Sequence, residues 1–127
     1  FADFKTIAEA ISSGNPAGGD EIVQKAHRYG WLAEDVTEDE IIESQRIFAR
    51  AGFFVEPATA TSLRAVKKLR GQGKIDSNQT VVLMLTGSGL KDMDVIRTQP
   101  QSTVECSIKT IKADISRIMN RLKDQTY

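Results

Sequence analysis

Apolar residues follow two patterns along this chain, and each pattern predicts a different kind of element. Over about 20–29, 37–51 and 58–70 they recur every three or four residues, which predicts three amphipathic helices. Residues 80–85 are instead a nearly continuous apolar run, which is typical of a strand covered on both faces in a parallel sheet. Residues 31–36 and 53–55 are predicted to be two further short strands.

The second helix carries the clearest start signal in the chain. Thr37 followed by Glu40 fits a capping box, in which each side chain accepts a hydrogen bond from the other residue's backbone N–H. Val36 and Ile41 occupy the two positions of a hydrophobic staple around that cap. Gly52 is suited to end the helix in a left-handed conformation.

The order of these elements predicts the fold class. Strand, helix, strand, helix and strand in succession indicate an α/β fold with parallel strands and flanking helices. Apolar residues then recur at helical spacing from Ile108 to Leu122, which predicts a closing amphipathic helix. We expect residues 1–97 to form one unit and residues 98–127 to be a carboxyl-terminal extension.

Composition narrows the classes of function. The 127 residues include 17 basic and 17 acidic side chains, so the chain lacks the basic excess that a nucleic-acid partner favours. No apolar run approaches the roughly 20 residues of a membrane helix. Cys106 is the only cysteine, which fits a reducing, cytoplasmic location. One cysteine and one histidine cannot build a zinc site, so we predict no metal.

The predicted strand ends carry the candidate chemistry. Ligands of open parallel sheets bind beyond the carboxyl ends of the strands. There the second strand runs into Glu56, and the third runs into Thr86 and the turn Gly87–Gly89. Glycines let a ligand approach the backbone closely, and a threonine hydroxyl can donate or accept a hydrogen bond. A turn of this kind is also common as a simple tight connection, so it does not define a site by itself.

Three segments, taken in order, resemble one enzyme family. The stretch Thr6–Pro16 resembles the T-I-A-x-A-I-x-x-G-N-P segment of threonine synthases. The stretch Phe54–Ser62 resembles their F-V-E-P-A-S-A-A-S segment, and Leu85–Asp92 resembles their L-T-G-H/N-G-L-K-D segment. The correct order and compatible spacing of all three make the match specific.

The resemblance implies a fold, a reaction and a cofactor. Threonine synthases are lyases of fold type II, similar to the tryptophan synthase β-subunit, and they use pyridoxal 5'-phosphate in threonine biosynthesis. They convert O-phospho-L-homoserine and water to L-threonine and phosphate. This chain would supply the carboxyl-terminal part of the large, cofactor-binding domain. The remaining, amino-terminal part of the enzyme is then its partner, and relatives commonly form homodimers.

The same resemblance assigns the cofactor-binding residues. Thr86 occupies the position whose hydroxyl meets the pyridine nitrogen, and Ala10 occupies that of a small residue against the cofactor ring. Glu56, Gly87 and Gly89 would line the same pocket.

No catalytic residue is assigned to this chain. In the family, the Schiff-base lysine lies in an S-F-K-D-R-type segment that these 127 residues do not contain. Lys91 lies in G-L-K-D and does not match that segment, so we expect it to form an ordinary ion pair or to lie on the surface. The chain alone is therefore expected to be inactive.

Two alternatives remain open at this stage. One is another fold-type-II enzyme, such as a serine/threonine dehydratase or a cysteate synthase. The other is a non-catalytic binding or regulatory module, which the missing lysine favours and which the Thr86 turn and the Glu56 segment oppose.

Overall fold

The computed structural model describes residues 5–99, residue 109 and residues 111–124 of the chain, with side chains up to residue 120 in the last helix. Its α-helices are α1 (Gly19–Tyr29), α2 (Glu38–Arg50), α3 (Pro57–Gly71), α4 (Met93–Thr98) and α5 (Ile111–Asp124). Single 3-10 turns lie at Glu9–Ile11 and Gly89–Lys91. The three predicted helices are thus confirmed to within one or two residues at each end.

Local start and stop signals define α2 as predicted. The side chain of Thr37 accepts a hydrogen bond from the backbone N–H of Glu40, and Glu40 accepts one from the N–H of Thr37, so the capping box is complete. After the helix, Gly52 has a φ of 87°, a left-handed conformation that glycine adopts without the steric cost of a Cβ. These contacts involve neighbours in sequence, which is why the sequence alone revealed them.

The core lies where α2 and α3 pack against each other. Ile41 and Phe48 of α2 and Ala58 and Ala60 of α3 are all buried. Ala8 and Val55 complete this cluster, and Ile7, Val36, Leu63 and Leu83 pack around it. Small residues on the first turns of α3 allow the helix to approach α2 and the amino-terminal segment closely. The cluster therefore fixes the start of α3.

Ion pairs link α2 and α3 on their more exposed side. Arg64 and Lys68 of α3 each place a side-chain nitrogen 2.9 Å from a carboxyl oxygen of Glu40. Arg64 also lies 3.2 Å from Glu43. The hydrogen bond from the Thr37 N–H, assisted by Lys68 and then by Arg64, lowers the pKa of Glu40 from 4.5 to about 2.

A buried amide links this helix pair to the segment that follows α2. Gln45 is 4% exposed, and its Nε2 donates to the carbonyl oxygen of Val55 at 3.0 Å. The side-chain amide of Gln99 donates in turn to Oε1 of Gln45 at 3.2 Å. A buried amide that is satisfied on both ends holds its neighbours in one arrangement, because breaking either bond would leave a polar group unpaired. Residues 53–55 are therefore held against α2.

The predicted parallel strands are not confirmed. Within the described part of the chain, β-type pairing is limited to one antiparallel bridge between Val55 and Ser88. Residues 31–36 and 80–85 lack regular secondary structure. Strands form only through hydrogen bonds to neighbouring strands, and an apolar run does not specify where such neighbours come from. Val82 and Met84, predicted to be covered, are 80% and 73% exposed, whereas Leu83 packs on the core.

Two helices have apolar faces that the described residues do not bury. Ile22 and Val23 are apolar residues of α1, and each is more than half exposed. The closing helix is confirmed as α5, and its Ile115 and Met119 are likewise half exposed. The predicted start of that helix at Ile108 lies outside the described residues. Among the described residues, no helix combines the length and apolar character needed to cross a membrane.

The Glu40 interactions predict a specific dependence of stability on pH. A carboxyl whose folded pKa lies below its unfolded value stabilises the fold above the unfolded pKa, and this stabilisation is lost as the pH falls through the folded pKa. Glu40 should therefore contribute fully above pH 4.5 and lose its contribution towards pH 2. Chemical unfolding of wild type and Glu40→Gln across this range should show a shallower acid decline in the variant.

Glu43→Gln is the matched control for this experiment, because it removes the same charge from the same helix. Its side chain is 56% exposed and it contacts Arg64. Exposed pairs of this kind contribute little to stability. We expect Glu43→Gln to retain the wild-type acid decline, and an identical decline in both variants would contradict the role of Glu40.

Candidate functional site

Two segments that are distant in sequence meet at the start of α3. The backbone N–H of Glu56 donates to the carbonyl oxygen of Gly87 at 3.1 Å, and the N–H of Gly89 donates to that of Phe54 at 3.1 Å. Glu56 has an extended backbone because Pro57 follows it, and Pro57 opens α3 at a position where no backbone donor is needed. The structure thus places the Phe54–Glu56 and Thr86–Gly89 segments side by side, as the site prediction requires.

Glu56 contributes a buried carboxyl group to this junction. The residue is only 5% exposed, and its Oε1 lies 3.3 Å from the hydroxyl oxygen of Thr86 and 3.4 Å from that of Thr59. Its Oε2 lies 3.7 Å from Nζ of Lys91. The carboxyl also lies at the amino-terminal end of α3, where the helix dipole favours negative charge. The expectation that Lys91 forms an ordinary ion pair is therefore confirmed.

The hydroxyl of Thr86 contacts the hydroxyl of a neighbouring threonine. Thr59 lies in the first turn of α3 and is 2% exposed, and its Oγ1 lies 2.9 Å from Oγ1 of Thr86. The backbone N–H of Gly87 donates to the same Thr59 oxygen at 3.1 Å. Thr86 as a residue is exposed in this structure, although its hydroxyl is engaged on one side. The Thr86 hydroxyl can therefore form hydrogen bonds with both Thr59 and a ligand.

The two glycines of the turn are required by contacts within the chain. A Cβ at Gly87 would overlap the carboxyl group of Glu56. A Cβ at Gly89 would lie 2.7 Å from Cε2 of the Phe54 ring, which is closer than carbon atoms pack. Sequence reasoning had assigned both glycines to the lining of a cofactor pocket. That role stays a prediction, and the structure adds a separate reason for glycine at each position.

Two cavities flank the start of α3 and divide the predicted site residues between them. Ala10 and Glu56 line a cavity of about 620 Å³, together with Lys91. Thr86 and Thr59 line a second cavity of about 470 Å³. Its wall also includes the apolar side chains Val82, Leu83, Met84, Ala65 and Val66. The structure therefore brings Thr86, Glu56 and Gly87 together, whereas Ala10 lies in an exposed 3-10 turn at the other cavity.

Sequence reasoning missed Thr59. It assigned no role to this residue, although it belongs to the Phe54–Ser62 segment that carries the family resemblance. The available signal was its place three residues after Glu56 in the first turn of a helix, where side chains can reach beyond the helix end.

Comparison with known proteins settles the family. A model of pyridoxal-phosphate dependent enzymes matches residues 1–87. The chain belongs to the pyridoxal-phosphate dependent enzymes. The match extends through Gly87 and so covers Ala10, Glu56 and Thr86.

Three relatives of this chain are named as threonine synthases. The chain is 41% identical over 111 residues to a threonine synthase of Methanocaldococcus jannaschii, an alignment that covers 85% of this chain and 27% of that protein. It is 37% identical to a threonine synthase of Bacillus sp. (strain ULM1), with 94% of this chain and 33% of that protein covered. It is 31% identical to threonine synthase 2, chloroplastic, of Arabidopsis thaliana, covering 91% and 21%. The resemblance seen in the three motifs is confirmed, and the chain spans at most about a third of these relatives.

The cofactor named by the family fits the residues of the second cavity in two respects. The apolar side chains in its wall suit an aromatic ring, and the hydroxyl of Thr86 suits the nitrogen of a pyridine ring. The hydroxyl of Thr86 is neutral and therefore does not impose a charge on that nitrogen, unlike a carboxylate.

Gly87→Ala should destabilise the chain by about 1–3 kcal/mol, the usual cost of forcing additional atoms into a packed site. The Glu56 carboxyl would have to move, and because it is buried it would lose its hydrogen bonds. Chemical unfolding measures the loss. Combining Gly87→Ala with Glu56→Ala removes the overlap, so the double variant should lose less stability than the sum of the two single variants.

Gly71→Ala is the control for this substitution. Gly71 is the last residue of α3, and nothing lies within 4 Å of a Cβ added there. We expect no loss of stability from Gly71→Ala, since alanine is favoured over glycine in a helix. A Gly87→Ala protein as stable as wild type would show that Glu56 does not occupy the position described.

Proposed function

We propose that this chain is the carboxyl-terminal part of a pyridoxal-phosphate-dependent threonine synthase. The whole protein converts O-phospho-L-homoserine and water to L-threonine and phosphate. Support for the reaction comes from relatives named threonine synthase that align with 85% and 94% of this chain. Support for the part played by this chain comes from the junction at which Glu56, Thr59 and Thr86 meet.

In this proposal Thr86 hydrogen-bonds the pyridine nitrogen of the cofactor. Ala10 lines the other cavity in this structure, and we propose that it lies against the ring in the whole protein. Glu56 and the turn Gly87–Gly89 support that position from behind. When bound, pyridoxal phosphate withdraws electrons from the substrate and so stabilises negative charge at carbon. The contribution of this chain is to fix the ring in place and to exclude water with the apolar side chains around Thr86.

We also propose that residues 80–85 form a parallel strand in the whole protein. Val82 and Met84 expose large apolar side chains here, and a strand buried on both faces requires cover from neighbouring elements. The neighbouring strands and the lysine-bearing segment would both come from the amino-terminal part of the enzyme. Residues 1–97 would then belong to the cofactor-binding domain and residues 98–127 would form an extension.

The remaining partners follow from the same proposal. The whole enzyme is proposed to be a cytoplasmic homodimer that takes a small phosphorylated amino acid as its substrate.

The reaction is tested with the full-length protein that carries this chain. We expect phosphate release from O-phosphohomoserine in the presence of pyridoxal phosphate, with threonine as the second product. L-Serine, supplied in parallel, should give no comparable ammonia release. Turnover of serine without phosphate release from O-phosphohomoserine would favour a dehydratase instead.

Thr86→Val tests the proposed cofactor contact. Valine keeps the shape of threonine and removes the hydroxyl, so the variant should bind pyridoxal phosphate about tenfold more weakly, the usual effect of losing one hydrogen bond. Binding is measured by titration of the cofactor absorbance in the full-length protein. Thr80→Val is the matched control: Thr80 is an exposed residue at the start of the same segment and lines neither cavity. Equal affinities of Thr86→Val and wild type would refute the contact.

The chain by itself should not hold the cofactor covalently, because it lacks the segment that carries the Schiff-base lysine. Incubation of this chain with pyridoxal phosphate and borohydride, followed by mass spectrometry, measures covalent labelling. We expect scattered, substoichiometric labelling of surface lysines. Stoichiometric labelling of one lysine, such as Lys91, would contradict the proposal.

A further inference from the structure

The hydroxyl of Thr59 lies in a different environment from those of its neighbours in α3. The hydroxyls of Thr61 and Ser62 donate to the carbonyl oxygens of Ala58 and Thr59, each at 2.7 Å. This is the common behaviour of threonine and serine within a helix. The hydroxyl of Thr59 instead contacts the Glu56 carboxyl and the Thr86 segment. Thr59 therefore uses its side chain to bind another part of the chain.

Thr59 holds the Thr86 segment at two points. Its Oγ1 lies 2.9 Å from the hydroxyl oxygen of Thr86, and it accepts a hydrogen bond from the backbone N–H of Gly87 at 3.1 Å. The carboxyl oxygen of Glu56 lies 3.3 Å from the Thr86 hydroxyl, which exceeds the usual O–H···O distance of about 2.5–3.0 Å. Among the described residues, Thr59 is thus the closest polar partner of the Thr86 hydroxyl.

The two threonines differ in burial, and this difference indicates which of them positions the other. Thr59 is 2% exposed in the first turn of a helix, where a β-branched side chain has few rotamers available. Thr86 is exposed and lies on a segment without regular secondary structure. Thr59 is therefore the more constrained of the two side chains and can orient the hydroxyl of Thr86. Both residues line the same cavity, so an orientation imposed by Thr59 affects the contacts available to a ligand there.

We propose that Thr59 is a positioning residue, which holds the Thr86 hydroxyl ready to hydrogen-bond the ring nitrogen of the cofactor. This inference rests on the proposed function, because it takes Thr86 to be the partner of that nitrogen. A hydroxyl has one hydrogen and two lone pairs, so Thr86 can use one of these towards Thr59 and keep another for the ring. Hydrogen bonds in series polarise one another, so Thr59 and the Gly87 N–H also influence the strength of the bond that Thr86 makes.

The test compares single and double variants of the full-length protein. Thr59→Val should weaken the binding of pyridoxal phosphate about tenfold, as expected for the loss of one hydrogen bond. In a Thr86→Val background, Thr59→Val should have little further effect, because the two residues act through the same contact. Thr59→Ser keeps the hydroxyl and should remain within about twofold of wild type. Thr59→Ala is measured beside Thr59→Val, in case valine prevents folding.

The absorption spectrum of the bound cofactor separates positioning from a merely structural role. A changed partner at the ring nitrogen alters how strongly the ring withdraws electrons. Thr59→Val and Thr86→Val should therefore shift the absorption maximum in the same direction, and Thr59→Ser should not. Ser44→Ala removes a hydroxyl that is equally buried but lies in α2, where it donates to the carbonyl oxygen of Glu40 at 2.8 Å. This control should lower thermal stability without changing the affinity for the cofactor or its spectrum.

The outcomes distinguish this inference from the proposed function. If wild type binds no pyridoxal phosphate, the proposed function fails. If Thr86→Val weakens binding but Thr59→Val and Thr59→Ala do not, the function stands and the positioning role of Thr59 is wrong. Additive effects of Thr59→Val and Thr86→Val on affinity would also overturn it, since independent contacts do not share one bond.

Discussion

The buried carboxyl group of Glu56 is the constraint on which the site depends. Moving a carboxylate out of water costs several kcal/mol unless polar partners replace the water. Here the partners are the hydroxyls of Thr59 and Thr86, the ammonium of Lys91 and the amino-terminal end of α3. The group fits because Gly87 has no side chain where the carboxyl lies. Burial of one charge thus requires the Thr86 turn to lie against α3.

The packing of α2 against α3 supports the position of Glu56 and the Thr86 turn. Its apolar side is filled by Ile41, Phe48 and Ala60, and its outer side is closed by the Glu40 ion pairs. Gln45 connects α2 to the segment before α3, because its side-chain amide donates a hydrogen bond to the carbonyl oxygen of Val55. Since Val55 precedes Glu56 directly, a contact made by α2 fixes the position of a residue at the start of α3. The contact between Gln45 and Val55 therefore helps to set the position of Glu56 in the wall of the first cavity.

Several of the most exposed apolar residues lie close in sequence to the Thr86 turn. Val82, Met84 and Leu90 flank the Thr86 turn, and each is more than 70% exposed. Exposed apolar surface around a polar site is typical of a surface on which another part of a protein packs. If the proposed function holds, the amino-terminal part of the enzyme would cover these residues, pair with residues 80–85 and supply the lysine. The amino-terminal part would then cover both the exposed apolar side chains and the cofactor site.

The sequence by itself determined the elements whose signals are local. The capping box of α2 and the left-handed Gly52 after it use atoms within a few residues of each other, so their pattern can be seen in the chain. The three ordered motifs likewise identified the family.

Tertiary structure alone decided the rest. The Thr59–Thr86 contact joins residues 27 apart in sequence, and the Glu56–Thr86 contact joins residues 30 apart. No local pattern specifies such contacts, because they join segments that are distant from each other in the chain. Strand pairing has the same non-local origin, which explains why an apolar run over 80–85 predicted a strand without specifying its neighbours.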